Sequence, residues 1–183
     1  MNGRTHEHQG ETVGRRLVLL RHAKAEPGGD GVGDAERPLA LKGRTQASRV
    51  GTALRAAGLQ PDLALVSSAL RTRQTWELAR AHLDHADVRT QVRDELYEAS
   101  VGDVLDLLRD VEPGVTSVLV VGHEPTMAAT AAYLAAPGSD DAALAQVRVG
   151  VPTATYSVLE SLDRTWADWG KAVARLSHVG RPS

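Results

Sequence analysis

The chain contains no cysteine. That one absence excludes a disulfide framework, a thiolate nucleophile and every cysteine-ligated zinc site. It contains no phenylalanine either, and aromatic residues make up only 3% of it, so the core has to be assembled mainly from Leu, Val and Ala. No apolar run approaches the roughly 18 residues of a membrane span, and no membrane partner is expected. The opening stretch MNGRTHEHQGETVGRR lacks the apolar segment of a secretory signal, and a cytoplasmic location is expected. Surplus positive charge is missing too. The formal net charge is -2 at pH 7, which gives no reason to expect nucleic acid as a partner.

What is present suits one domain. A chain of 183 residues, 42% hydrophobic and 24% charged, has the composition of an ordinary globular protein and can bury a core of its own. Residues 1–14 read as a polar, disordered tail, 15–178 as the folded domain and 179–183 as a C-terminal tail. His6 and His8 flank Glu7 within the first tail, but a metal site needs more ligands on a fixed scaffold. No metal and no other cofactor is expected.

Short apolar runs mark the strands. Leu17–Leu20 form an unbroken run, as in a strand buried on both faces. Residues 26–38, EPGGDGVGDAERP, are loop. Ala47, Val50, Leu54 and Ala57 then recur at helical spacing, with Gly58 as the stop. Leu63–Val66 is a second buried strand ending in Ser67-Ser68. Residues 70–83 read as a helix with Leu70, Trp76, Leu78, Ala79 and Leu83 as core contacts, and Val88–Val92 as a short strand. Ser100 and Asp103 form a capping-box pair that opens a helix with Val101, Val104, Leu105, Leu108 and Val111 on one face, ended by Pro113-Gly114. Val118–Val121 is the clearest strand. Pro125 suits the first position of a following helix that reaches about Ala136. Residues 137–143 read as loop, and Val147–Val149 and Tyr156–Leu159 as later strands. Strands alternating with helices predict an α/β fold, a three-layer α/β/α sandwich with a largely parallel central sheet.

Polar residues gather where these strands end. Arg21-His22 follows the first, Ser67, Ser68 and Arg71 the second, and Gly122-His123 the third. Ligands bind beyond the carboxyl ends of the strands in such a sheet, so one edge would present two arginines and two histidines from three segments. Arginine forks match phosphate oxygens. Arg71, in the first turn of its helix, opposes the helix dipole, and a bound phosphate would relieve that conflict. A lone histidine is more often a packing residue than a catalyst, but the conjunction at three strand ends points to a tetrahedral anion.

These residues carry a resemblance. LVLLRHAKAE resembles the opening motif of the histidine phosphatase superfamily, the group that includes phosphoglycerate mutases, with Ala23 where the usual motif has glycine. SSALRTRQT, residues 67–75, resembles the second segment, with Arg71 as its phosphate-binding arginine. VLVVGHEP, residues 118–125, resembles the third, with His123 as its second histidine. ERPLALKGRTQA, residues 36–47, is also similar. Together with the short length, RHAK and ERPL point to the SixA-type phosphohistidine phosphatases. The resemblance implies a phosphoglycerate mutase-like fold and a metal-independent phosphatase. His22 would take the phosphoryl group with its other nitrogen oriented by a backbone carbonyl. Arg21, Arg71 and a protonated His123 would hold the group. Larger relatives carry an acid in a Leu-x-Glu context. Leu96-Tyr97-Glu98 fits it, with Glu95 as the near alternative and a solvated Glu98 before the Ser100 cap as the structural one. The expected partner is a phosphorylated protein such as a histidine phosphotransfer domain. A small phosphomonoester such as a sugar phosphate is the second expectation, and an inactive phosphate-binding module the third.

Overall fold

The computed structural model describes residues 14–29, 31–85 and 87–183. The expected N-terminal tail, with His6, Glu7 and His8, lies outside the described residues but for Gly14. Six strands form one sheet: β1 (Arg15–Arg21), β2 (Leu63–Ser67), β3 (Arg89–Arg93), β4 (Ser117–Gly122), β5 (Tyr156–Ser161) and β6 (Arg175–Gly180), in the order β3-β2-β4-β1-β5-β6. β3, β2, β4 and β1 are parallel; at the β1 edge β5 pairs antiparallel with β1, and β6 pairs antiparallel with β5. Among the described residues there are five α-helices: α1 (Leu41–Ala56), α2 (Leu70–Arg80), α3 (Val101–Arg109), α4 (Thr126–Leu134) and α5 (Asp141–Val149). None is long and apolar enough to cross a membrane.

The unbroken apolar runs are explained by two cores, one on each face of the sheet. Side chains alternate across a strand. Leu17 and Leu19 therefore pack with Leu105 and Leu108 of α3, Met127 and Leu134 of α4 and Val147 of α5. Val18 and Leu20 pack with Val50 and Leu54 of α1 and with Trp76 of α2. Trp166 and Trp169 supply bulk to the first core, their ring centroids 4.7 Å apart, where phenylalanine is lacking. Two glycines set how closely α1 can approach. A Cβ on Gly51 would collide with the carbonyl of Ala79 in α2, and one on Gly43 with the carbonyl of Lys24. The second contact presses α1 against the segment that follows β1.

Several sequence expectations need correction. Val147–Val149 is the end of helix α5, not a strand, and 137–143 is loop only as far as Asp140. Asp140 caps α5 by accepting from the Ala143 amide at 2.8 Å. In a strand Val147 and Val149 would share a face, but Val147 is buried and Val149 is 91% exposed. The helix over 70–83 stops at Arg80, although Leu83 still reaches the core after the turn. Ala57 is an exposed C-cap, not a core contact, and α3 ends at Arg109, ahead of Pro113. Pro125 is the N-cap of α4, one residue before the expected position, and α4 ends at Leu134 rather than near Ala136. β6 was not foreseen. It runs across the expected domain boundary at 178 as far as Gly180, which pairs with Tyr156.

Candidate active site

The chain leaves β1 by α1, passes over β4 to reach β2 and β3, and returns by α3 to lay β4 between β1 and β2. The carboxyl ends of β1, β4 and β2 are consequently side by side at the point where the strand order reverses, which is where such sheets open a crevice. The crevice is a cleft of about 490 Å³ lined by residues that include Arg21, His22, Asp34, Arg71, Tyr97, Glu98 and His123. All five predicted residues, Arg21, His22, Arg71, His123 and Glu98, meet there. Glu95 does not line the cleft. It pairs outward with Arg93 at 2.8 Å, and that guanidinium holds its carboxyl down to about 2.

His22 is fixed on every side. Its amide donates to Gly122 O at 3.1 Å, and its carbonyl accepts from the amide of Ala154 at 3.1 Å. Ala154 adopts φ 57° to make that contact, a left-handed conformation uncommon for a residue with a Cβ and often found where a site demands it. Nδ1 of His22 lies 2.7 Å from the carbonyl of Ala23. A carbonyl can only accept, so Nδ1 carries the proton and Nε2 keeps its lone pair. This is the orienting carbonyl that could not be named from the sequence. Ala23 is held in turn, its amide donating to Thr75 Oγ1 at 3.0 Å. Burial, with added repulsion from Arg71, Arg21 and Arg37, pushes the His22 pKa down to about 4.

His123 is also neutral in the free site; the expected protonated ring belongs to the phosphate-bound state. Nη2 of Arg71 donates to its Nδ1 at 3.4 Å, so its Nε2 donates to Ser67 Oγ at 2.8 Å. Burial first, then His22 and Arg71, push its pKa down to about 3. The two imidazole centroids stand 5.3 Å apart.

The arginines differ in their anchoring. Arg21 donates through Nη1 to Val151 O at 2.7 Å. Arg71, 5% exposed, is clasped by Asp34: Nη1 donates to its backbone oxygen at 2.7 Å and Nη2 to Oδ2 at 3.0 Å. The Nε of each arginine is buried without a protein acceptor among the described residues, and each guanidinium, with five N–H donors, keeps at least one terminal N–H beyond those bonded here. Asp34 also accepts from Tyr97 Oη at 2.6 Å and from Arg37 Nε at 2.9 Å. Those donors, Tyr97 first, hold its carboxyl well below the usual carboxylate range, so it stays ionised.

Sequence reasoning missed Asp34, Tyr97 and Glu124. Glu124 accepts from the amides of Ala128 and Val151 at 3.0 and 3.1 Å and so ties α4 to the loop that receives Arg21. Its place directly after His123 was the available signal. Of the carboxylates around the cleft, Asp34 and Glu124 are fully engaged, and Glu98 is exposed with no hydrogen-bond partner among the described residues.

The tautomer and pKa of His22 set a pH expectation. If Nε2 attacks, kcat/KM requires neutral His22 in the free enzyme. A depressed pKa keeps the ring neutral until the pH falls to about 4, not to the ordinary 6.5. A kcat/KM profile taken with one aryl phosphate, corrected for ionisation of that substrate, should show no loss between pH 7 and pH 5. An acid limb centred near 6.5 would contradict the environment described for His22.

The family model described as the histidine phosphatase superfamily, branch 1, matches residues 17–112. An uncharacterized protein of Mycobacterium tuberculosis is 40% identical over 166 residues, covering 88% of this chain and 100% of that one. Among solved structures, a Nakamurella multipartitia protein provisionally assigned as the phosphohistidine phosphatase SixA superposes with a TM-score of 0.79 at 34% identity, covering 92% of this chain and 96% of the other. A protein of Agrobacterium tumefaciens with the same provisional assignment gives 0.76 at 31% identity, with 92% and 98% covered.

Proposed function

The chain belongs to the histidine phosphatase superfamily, branch 1, and from that premise we propose that it is a metal-independent phosphatase that removes phosphate from histidine on a protein. The observation that carries the reading is the His22 tautomer. Nδ1 is committed to Ala23 O, and the lone pair of Nε2 is left on the cleft side of a ring flanked by two guanidinium groups.

Nε2 of His22 attacks phosphorus in line, and the P–N bond breaks, the substrate ring, protonated from solvent on its other nitrogen, leaving as neutral imidazole. The transferred group is held by Arg21 and Arg71, whose remaining terminal N–H groups donate to its equatorial oxygens. His123, neutral in the free site, takes a proton from solvent as the dianion arrives and donates it to a further oxygen. Water then cleaves the phosphohistidine of the enzyme and releases inorganic phosphate, so that one difficult displacement becomes two easier ones. Fixed guanidinium groups supply the charge stabilisation that a metal would otherwise give. The reading places the protein in the cytoplasm, with a phosphorylated protein, such as a histidine phosphotransfer domain, as its partner.

The carboxylates favour phosphohistidine as the substrate. An alkoxide leaves poorly without a proton donor in the site, whereas the ring of phosphohistidine takes a proton from water on its other nitrogen and leaves as neutral imidazole. Asp34 is locked as an anion and Glu124 is bound to two backbone amides. Among the described carboxylates lining the cleft, the exposed Glu98 alone is left as a candidate acid, and it supports the second reading, a phosphatase of small phosphomonoesters.

Rates with a phosphohistidine protein and with a panel of sugar phosphates, measured on wild type and Glu98→Gln, separate the two. The leading reading expects phosphohistidine to be the better substrate, with Glu98→Gln changing its rate by less than about threefold and unmasking a loss of about 10²-fold only on alkyl phosphates. Dialysis against a chelator should leave the rates unchanged. Sugar phosphates turned over faster than phosphohistidine, with a Glu98-dependent rate, would establish the second reading. Measurable phosphate binding with no turnover of either class would mean an inactive binding module.

A further inference from the structure

The chemistry above makes no use of Asp34, although the fold delivers its carboxylate to the centre of the cleft. It comes from the loop before α1 and meets Arg71 from α2 and Tyr97 from the turn after β3. Its contacts to Arg71 occupy both terminal nitrogens of the phosphate-binding guanidinium, and its other oxygen occupies Arg37. We propose that Asp34 is a built-in counter-anion of the phosphate site, a positioning residue that aims Arg71 and keeps the cleft from retaining its product.

The geometry supports both halves of that role. Arg71 is almost wholly buried, and a buried guanidinium needs fixed acceptors to hold one orientation. Asp34 gives it two, a backbone oxygen and a carboxylate oxygen, on the same side of the fork. Each terminal nitrogen carries two N–H groups, so the second N–H of Nη1 is the donor left for a ligand. The charge matters separately. Arg21, Arg37, Arg71 and Lys24 all line the cleft, and inorganic phosphate carries up to two negative charges. Without the Asp34 charge, those four cations would face only Glu98 and Glu124 among the described carboxylates lining the cleft, and the product would be held more firmly, which gains nothing in turnover. A carboxylate a few ångströms away repels the dianion and also withholds Arg37 from it. Transfer still proceeds, because Arg71 remains in place.

The inference rests on the reading of the cleft as a phosphate site, and the test separates the two. Inorganic phosphate binding is measured by calorimetry on wild type, Asp34→Asn and Tyr97→Phe, alongside kcat on an aryl phosphate, with circular dichroism confirming the fold. Asp34→Asn is nearly isosteric, and the Asp34 side chain is 55% exposed, so folding is expected to survive. Asp34→Asn should bind phosphate about tenfold more tightly, from the loss of one charge in a partly solvated site. Its kcat should fall several-fold because Arg71 loses its clasp. A purely structural role would weaken binding and turnover together. Tyr97→Phe loosens the loop but keeps the charge, so its phosphate affinity should stay near that of wild type. Unchanged or weaker phosphate binding in Asp34→Asn overturns the inference while leaving the site intact, and so does equal tightening in Tyr97→Phe. Failure of wild type to bind phosphate at all removes the inference together with the site.

Discussion

Replacing His22 with alanine is expected to lower the phosphatase rate by about 10⁴-fold or more, the scale seen when a covalent nucleophile is removed from a preorganised site. The size follows from what His22 does. The remaining groups, Arg21, Arg71 and His123, could still bind and polarise the phosphoryl group. Water would then have to attack it without the covalent intermediate. The fold should persist, because the ring lies at the edge of the sheet and the backbone bonds from Gly122 and Ala154 do not depend on it. Two measurements check this. Steady-state rates on a phosphohistidine protein give the loss, and acid-labile label trapped from wild type and mapped by peptide gives the site. Near wild-type turnover in His22→Ala, or label on His123 instead, would falsify the assignment of the nucleophile.

Arg71→Ala is expected to cost about 10³-fold in kcat/KM, at the lower end of what a transition-state arginine contributes to phosphoryl transfer. The guanidinium is the junction of the cleft, in contact with Asp34 and with His123. Its loss removes one cation and also leaves Asp34 facing the phosphate with less to neutralise it. Affinity for vanadate, a phosphate analogue, should fall in the same variant. Arg71→Lys keeps the charge but cannot reproduce the fork. It should recover only part of the loss, about tenfold. Full activity in Arg71→Lys would mean that charge alone suffices and that the fork geometry drawn here is unimportant. The exposed rim makes a useful contrast. Lys24 also lines the cleft, but water screens an exposed cation, so Lys24→Ala should change the rate far less than Arg71→Ala.

Local pattern carried a large part of this protein. A strand buried on both faces must be apolar at consecutive positions, so β1, β2 and β4 could be read directly, and with them the polar residues at their ends. Arg21, His22, Arg71 and His123 were legible for that reason. The capping box of Ser100 and Asp103 is equally local, and it forms as expected. Where local signals competed, the sequence misled. Val147–Val149 has the composition of a strand, but the Asp140 cap and the alanine-rich turn behind it win, and Val149 is left to solvent. β6 carries polar residues within it, RLSHVG, because it is an edge strand, and its apolar pattern is too weak to see.

The tertiary structure alone decided how the site works. The neighbouring of β1, β4 and β2 is a matter of strand order, which no periodicity encodes. The contacts that fix the chemistry join residues distant in the chain. Arg71 meets Asp34 across 37 positions and His123 across 52, and Tyr97 meets Asp34 across 63. Such contacts exist only after the loops have closed, since closure entropy must be overcome before any of them can form. The neutral state of His123 and the locked ionisation of Asp34 follow from burial and from those distant donors. The Nδ1–H tautomer of His22 depends on a carbonyl only one residue away, but the sheet and Thr75 must first hold that carbonyl in place. Sequence chose the residues of the cleft because their types and strand-end positions are local facts. Packing chose their protonation and partners because those depend on which groups come to share a space without water.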